Sequence, residues 1–181
     1  MATVLVPLAQ GCEELEAVTV IDLLRRAGVT VVVAGLEAGP ITASRGVVLL
    51  PDTTLEAVLD QDFDLVVLPG GLGGAERLEA DRRIAALLRR MVEQGRYVAA
   101  ICAAPRVLAK AGLLTDREAT AYPGILDGRT DLRLSSAAIV RDGHFITSRG
   151  PGTALDFALT LIEILCGRSQ RDTVETALQR G

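Results

Sequence analysis

Apolar residues along this chain fall into two rhythms. Short, nearly continuous apolar runs occupy residues 4–8, 29–34, 65–68 and 97–101, each bounded by Gly, Pro or polar residues. Such runs are the pattern of parallel strands covered on both faces. Residues 13–26, 75–93 and 152–165 instead space their apolar side chains at helical intervals, and shorter helices are expected at 53–59, 103–110 and 169–179. In the first helix Val18, Ile21, Leu23 and Leu24 form the expected apolar face, and Gly28 ends it. Two stretches read as hairpins: residues 41–50, broken at Ser44-Arg45-Gly46, and residues 138–140 facing 144–147 across Asp142-Gly143. A short strand at 119–121 and a looser segment at 127–136 complete the pattern.

This alternation predicts one α/β domain over residues 1–181, a flavodoxin-like three-layer sandwich with a mainly parallel central sheet and a small peripheral hairpin. Parallel strands point the same way, so the loops after Leu8, Leu68 and Ile101 emerge on one rim, where open α/β sheets bind ligands. Residues 11–16, 69–74 and 102–105 are thereby expected to meet.

Composition narrows the function classes. Hydrophobic residues make up 49% of the 181, yet no apolar run reaches the roughly 18 needed to span a bilayer. The opening MATVLVPLAQ reads as a first strand and not as a signal peptide, so a cytoplasmic location is expected. A net charge of -4 argues against tight general binding of nucleic acid, which needs a basic face. Cys12, Cys102 and Cys166 show no C-x-x-C or zinc spacing, so they are expected as free thiols, with no metal site. Cys166, at the end of an apolar helix before Gly167, reads as packing. Cys12 lies on the rim, where it either packs or resolves an oxidised Cys102.

Cys102 falls where the strand at 97–101 gives way to a helix with Pro105 in its first turn. A free cysteine is commonly an inert core residue. The strand-to-helix position points instead to a nucleophile, its pKa expected to be lowered by the helix start and unpaired backbone N–H groups. Glu13 and Glu14 read as complements to the first helix dipole. Glu16 lies one turn further in, facing the rim, where a buried carboxyl could keep its proton and donate to sulfur. LPGGLGG, at 68–74, lacks both the Walker lysine pattern and the dinucleotide fingerprint. Close backbone approach is the better use of its glycines: the N–H groups of Gly71 and Ala103 are either oxyanion donors or part of an ordinary turn. Tyr122 is either a pocket donor or an ordinary tyrosine. His144, the single histidine, sits after a hairpin turn, leaving a Cys-His hydrolase without an evident base.

Taken together, GCEELEAV at 11–18, IDLLRRAGV at 21–29, SRGV at 44–47, VVLPGG at 66–71, AAICAAP at 99–105 and TSRGPGTALDFAL at 147–159 resemble the ThiJ/PfpI superfamily. Within it, the resemblance is to the branch of the parkinsonism-associated protein deglycase and bacterial YajL. It implies Cys102 as the nucleophilic, oxidation-sensitive cysteine, Glu16 as its protonated partner and Gly71 and Ala103 as backbone donors. It implies that Arg26 and Arg45 lie near the pocket and a dimer contact, that Arg149 and Pro151 lie on a loop close to the site, and that the chain forms a homodimer. Ala103 stands where peptidase-like members carry histidine, which counts against proteolysis. Tyr122 replaces a histidine of the parkinsonism-associated member.

The expected function is that of a cysteine-dependent deglycase or glyoxalase, needing no cofactor, acting on methylglyoxal or glyoxal and their early adducts with protein side chains. The alternative is a redox-sensing chaperone whose Cys102 becomes a sulfinic acid without obligatory turnover. An amidotransferase-like hydrolase would require His144 within reach of the sulfur.

Overall fold

The computed structural model describes residues 1–180. The opening βαβ unit consists of β1 (Thr3–Leu8), α1 (Glu14–Arg26) and β2 (Thr30–Gly35), the two strands pairing in parallel from Thr3 with Thr30 to Leu8 with Gly35. β3 (Ile41–Thr42) and β4 (Val48–Leu49) form the small antiparallel hairpin, detached from the main sheet. There follow β5 (Thr53–Thr54), β6 (Leu65–Leu68), α2 (Leu72–Ala80), α3 (Arg82–Glu93), β7 (Tyr97–Ile101) and α4 (Pro105–Lys110). A second small sheet pairs β8 (Glu118–Ala119) with β9 (Arg133–Leu134). β10 (Ile139–Asp142) and β11 (Phe145–Ser148) form the second hairpin, and α5 (Ala154–Cys166) and α6 (Arg168–Ala177) close the fold.

Seven strands join in the order β10-β11-β7-β6-β1-β2-β5, and only the β10/β11 pair is antiparallel. The apolar runs divide their side chains between the two faces, as period-two geometry demands. Val4, Val6, Leu8, Leu65, Val67, Ala99 and Ile101 pack under α1, α5 and α6. Leu5, Val66, Leu68, Val98 and Ala100 pack under α2, α3 and α4. Three layers result, with a core on each side of the sheet. No helix is long and apolar enough to cross a membrane.

Several sequence expectations are corrected. The helix expected at 75–93 is two helices, because Asp81 adopts an extended backbone and its carboxylate accepts the Arg83 N–H at 2.8 Å, capping α3. Thr53-Thr54, expected to start a helix, adds an edge strand beside Ala34 and Gly35, and a single 3-10 turn at Glu56–Val58 follows. The buried face of α1 is Glu16, Ala17, Val20, Leu23 and Leu24, while Val18 is half exposed. The face is turned by one residue because Glu16 points inward. β9 lies in the stretch expected to be loose, since its backbone finds a partner in β8. α4 begins at Pro105 and not at 103, and a 3-10 turn at Pro151–Thr153 precedes α5. Cys166, expected to pack, is exposed at the end of α5.

Candidate active site

The rim forms as the topology requires. The N–H of Gly74 donates to Gly11 O at 3.1 Å, that of Glu13 to Gly70 O at 2.9 Å, and that of Cys102 to Ser148 O at 2.9 Å. These bonds draw the loops after β1, β6, β7 and β11 together. Such closeness excludes side chains: a Cβ at Gly70 would stand 2.6 Å from Glu16 Oε2 and 2.7 Å from Cys102 Cβ. Gly70→Ala is therefore expected to push the Glu16 and Cys102 side chains apart. The overpacking costs about 1–3 kcal/mol, which thermal unfolding reads as a Tm drop of about 2–4 °C per kcal/mol; an unchanged Tm would contradict this packing.

Cys102 is half-buried and occupies φ 63, a left-handed conformation disfavoured for any residue with a Cβ. This is the strained elbow that aims a side chain out of a strand-to-helix turn. The expected lowering of its pKa is corrected. Burial first, and the charge of Glu16 second, push the thiol up to about 12, against the Gly71 and Ala103 N–H groups, which favour the thiolate. The helix thought to lower it has only six residues and starts at Pro105.

Glu16 is the titratable neighbour of the thiol. The residue is fully buried; Oε2 accepts the Gly70 N–H at 2.8 Å, and Oε1 is buried without a hydrogen-bond partner. Burial raises the carboxyl from its ordinary 4.5 to about 7, opposed by the Gly70 N–H and by the Cys102 side chain. Glu16 and the half-buried Cys102 are thus coupled, and two negative charges are disfavoured there. When the carboxyl keeps the proton, the Glu16 charge that raises the thiol is removed and the Gly71 and Ala103 donors remain.

Glu13 and Glu14 do more than complement the helix. Ser44 Oγ donates to Glu13 Oε2 at 2.7 Å and to Glu14 Oε2 at 3.0 Å, while the Arg45 N–H donates to Glu14 Oε1 at 2.9 Å. Burial alone would raise Glu14; hydrogen bonds, from Ser44, Val47 and Arg45 among others, outweigh it and hold that carboxyl below its usual range. Both glutamates thereby clamp the hairpin to α1.

The remaining candidates separate into groups. Tyr122, Arg149 and Pro151 line one shallow cavity of about 370 Å³, and the Tyr122 N–H donates to Cys102 O at 2.9 Å, tying that cavity to the cysteine. The Tyr122 ring is half exposed and lies against Gly150. The Arg149 guanidinium donates to Ser136 O at 3.0 Å. The Arg45 side chain points to solvent. Arg26 is paired with Asp22, about 15 Å along the α1 axis from Glu16, so it does not join this chain's own cysteine site. His144 precedes β11 at the opposite end of the sheet, its ring stacked on Tyr97 at 4.9 Å; an imidazole base at Cys102 is excluded within the chain. Cys12 is buried beneath Gly74, and burial together with Glu14 raises its thiol to about 11. Among the described residues no group of three or more His, Cys, Asp or Glu could hold a metal ion.

Two contributors escaped sequence reasoning. Gly70 supplies the N–H on Glu16 and the space between the two side chains; its place beside Gly71 was the only signal. Ser148 holds the Cys102 backbone through its carbonyl, and its buried hydroxyl lies 2.7 Å from Thr153 Oγ1.

The profile of the DJ-1/PfpI family matches residues 2–164. Over 177 residues the chain is 45% identical to protein dj-1beta of Drosophila melanogaster, covering 96% of this chain and 95% of that one. The crystal structure of Drosophila melanogaster DJ-1beta superposes with a TM-score of 0.96 at 43% identity, covering 99% and 98% of the two chains. Glutathione-independent glyoxalase DJR-1.2 of Caenorhabditis elegans is 33% identical over 175 residues, 96% of this chain and 92% of that one.

Proposed function

The chain belongs to the DJ-1/PfpI family, and on that premise we propose that it is a cysteine-dependent glyoxalase and deglycase acting on methylglyoxal or glyoxal and on their early adducts with protein side chains. One observation carries the reading: a buried carboxyl raised to about 7, with an unpartnered oxygen, beside a cysteine in a strained elbow. The name of the nematode relative supports the same reaction class.

In the proposed reaction the Cys102 proton passes to Glu16, and Sγ attacks the aldehyde carbon of methylglyoxal. The C=O electron pair moves onto oxygen, where the Gly71 and Ala103 N–H groups hold it until Glu16 returns a proton. Glu16 then takes the hydrogen from the former aldehyde carbon as a proton and delivers it to the neighbouring carbon, while the hydroxyl proton passes to the neighbouring carbonyl oxygen, leaving a 2-hydroxyacyl thioester. Water cleaves the thioester, releasing lactate and restoring the thiol, so one methylglyoxal and one water become one lactate with no external oxidant. From an early adduct, Sγ instead displaces the amine or thiol of the modified side chain, which leaves with the proton that Glu16 took from Cys102, and the resulting hemithioacetal follows the same sequence. Purified protein in Tris-free buffer is expected to form lactate from methylglyoxal; lactate no faster than in the protein-free reaction would remove the proposal.

A redox-sensing role draws on the same geometry. A sulfur that is only partly covered, two backbone N–H donors and a protonated carboxyl would together hold a sulfinate. Mild peroxide is then expected to add two oxygens to Cys102 before the buried Cys12, as mass spectrometry would report; first oxidation at Cys12 would speak against sensing.

Self-association is part of the proposal. Leu15 and Val18 on α1 and Val47, Val48 and Leu50 around the hairpin are exposed by 47–79%, on two elements that Glu13 and Glu14 lock together. Such exposed apolar clusters mark interfaces. Val18→Arg is expected to convert a dimer to a monomer by light scattering, and a monomeric unsubstituted chain would overturn the assignment.

A further inference from the structure

α3 carries Arg82, Ala86 and Arg90 four residues apart, on one side of the helix. Ala86, small and exposed, leaves a notch between two long side chains. Leu87, 3% exposed, lies beside it, and Leu59 and Asp60, just after the 3-10 turn, form the facing wall. The open groove so formed has a volume of about 370 Å³, within the range of small-molecule sites. It shares no lining residue with the cysteine site.

Its charges are unevenly used. Arg83 is committed to Asp81 at 2.7 Å, Glu56 at 3.2 Å and the Leu36 carbonyl at 2.9 Å. Arg82 and Arg90 have no carboxylate partner among the described residues. Arg90 donates to Gln61 O at 3.1 Å, and its Nε–H is buried with no acceptor. A buried donor left unmade is costly. The two guanidinium-bearing positions lie eight residues apart, about 12 Å along the helix. Between them the floor is aliphatic.

We propose that this notch binds a linear α,ω-dicarboxylate, one carboxylate on Arg82 and the other on Arg90, its methylene chain lying over Ala86, Leu87 and Leu59. Two anionic ends match two unneutralised guanidiniums, and an apolar middle matches the floor. Asp60, exposed at the rim, is the single charge on the lining that opposes the ligand.

Calorimetric titration of the full chain with suberate tests this, with octanoate and glutarate as comparators that lack the second charge or the length. Suberate is expected to bind at least about tenfold more tightly than either, because each charge-assisted contact is worth about that factor. Arg82→Gln and Ala86→Trp, both at exposed positions, are each expected to weaken suberate binding to the octanoate level with unchanged Tm, and Asp60→Asn to tighten it. Equal binding of suberate and octanoate, no measurable heat, or suberate binding indifferent to Arg82→Gln would overturn the proposal.

Discussion

Cys102→Ala is expected to bring lactate formation from methylglyoxal down to the protein-free rate, a loss of at least about 10⁴-fold if turnover is covalent. The substitution leaves the Gly71 and Ala103 N–H groups in place but removes the only sulfur they face. Without that sulfur no bond to the aldehyde carbon forms, and positioned donors have nothing to stabilise. A fold effect can be separated from the chemical one. Alanine keeps a Cβ at φ 63, whereas Cys102→Gly relieves the left-handed strain; the glycine variant should unfold about 1 kcal/mol later than the alanine variant. Both should be equally inactive. An alanine variant within tenfold of the unsubstituted chain would mean that the reaction does not pass through this sulfur.

Glu16→Gln is expected to lower kcat/KM by about 10²–10⁴-fold, the usual contribution of a positioned acid and base. Glutamine preserves the volume and can still accept the Gly70 N–H, but it cannot take a proton from sulfur or carry one between carbons. The pH dependence of stability gives an independent readout. Burial raises Glu16 from 4.5 to about 7, so the folded chain holds this proton more tightly than the unfolded one. Below about 4.5 both states keep it and the residue is neutral in the balance. Between about 4.5 and 7 the unfolded chain gives up this proton while the folded chain keeps it, so stability falls by roughly 3 kcal/mol across that interval and levels off above it, where both are ionised. Glutamine escapes that loss, so the variant is expected to gain on the unsubstituted chain between pH 5 and pH 8, measured by denaturant unfolding. A constant difference across that range would show Glu16 to be an ordinary carboxylate.

Much of the site could be read from local pattern. The apolar runs ending at Leu8, Leu68 and Ile101 placed three loops on one rim, and β7 has the expected bounds. Cys102 and Glu16 stand out as candidates because a strand-to-helix junction and a first-turn glutamate are features of a few consecutive residues. The role of Gly70 was not, because it depends on Glu16, which lies 54 residues away in the chain. Nor was the clamp of Glu13 and Glu14 on Ser44 and Arg45, which joins the start of α1 to a hairpin some thirty positions later. His144 illustrates the same limit in the other direction: its exposed hairpin position was evident, but only the strand register shows that it stands at the far end of the sheet from Cys102.

The amino-acid sequence by itself determined the layered α/β architecture, the shared rim and the placing of Cys102 and Glu16 on it, because hydrophobic periodicity and turn chemistry are properties of neighbouring residues. Tertiary structure alone decided how tightly each of the two holds its proton. A local view puts Cys102 at a helix start and predicts a lowered pKa. The folded chain buries it, sets Glu16 beside it and raises both groups. Desolvation depends on every atom that excludes water from a site, and those atoms come from four strands and the loops that follow them.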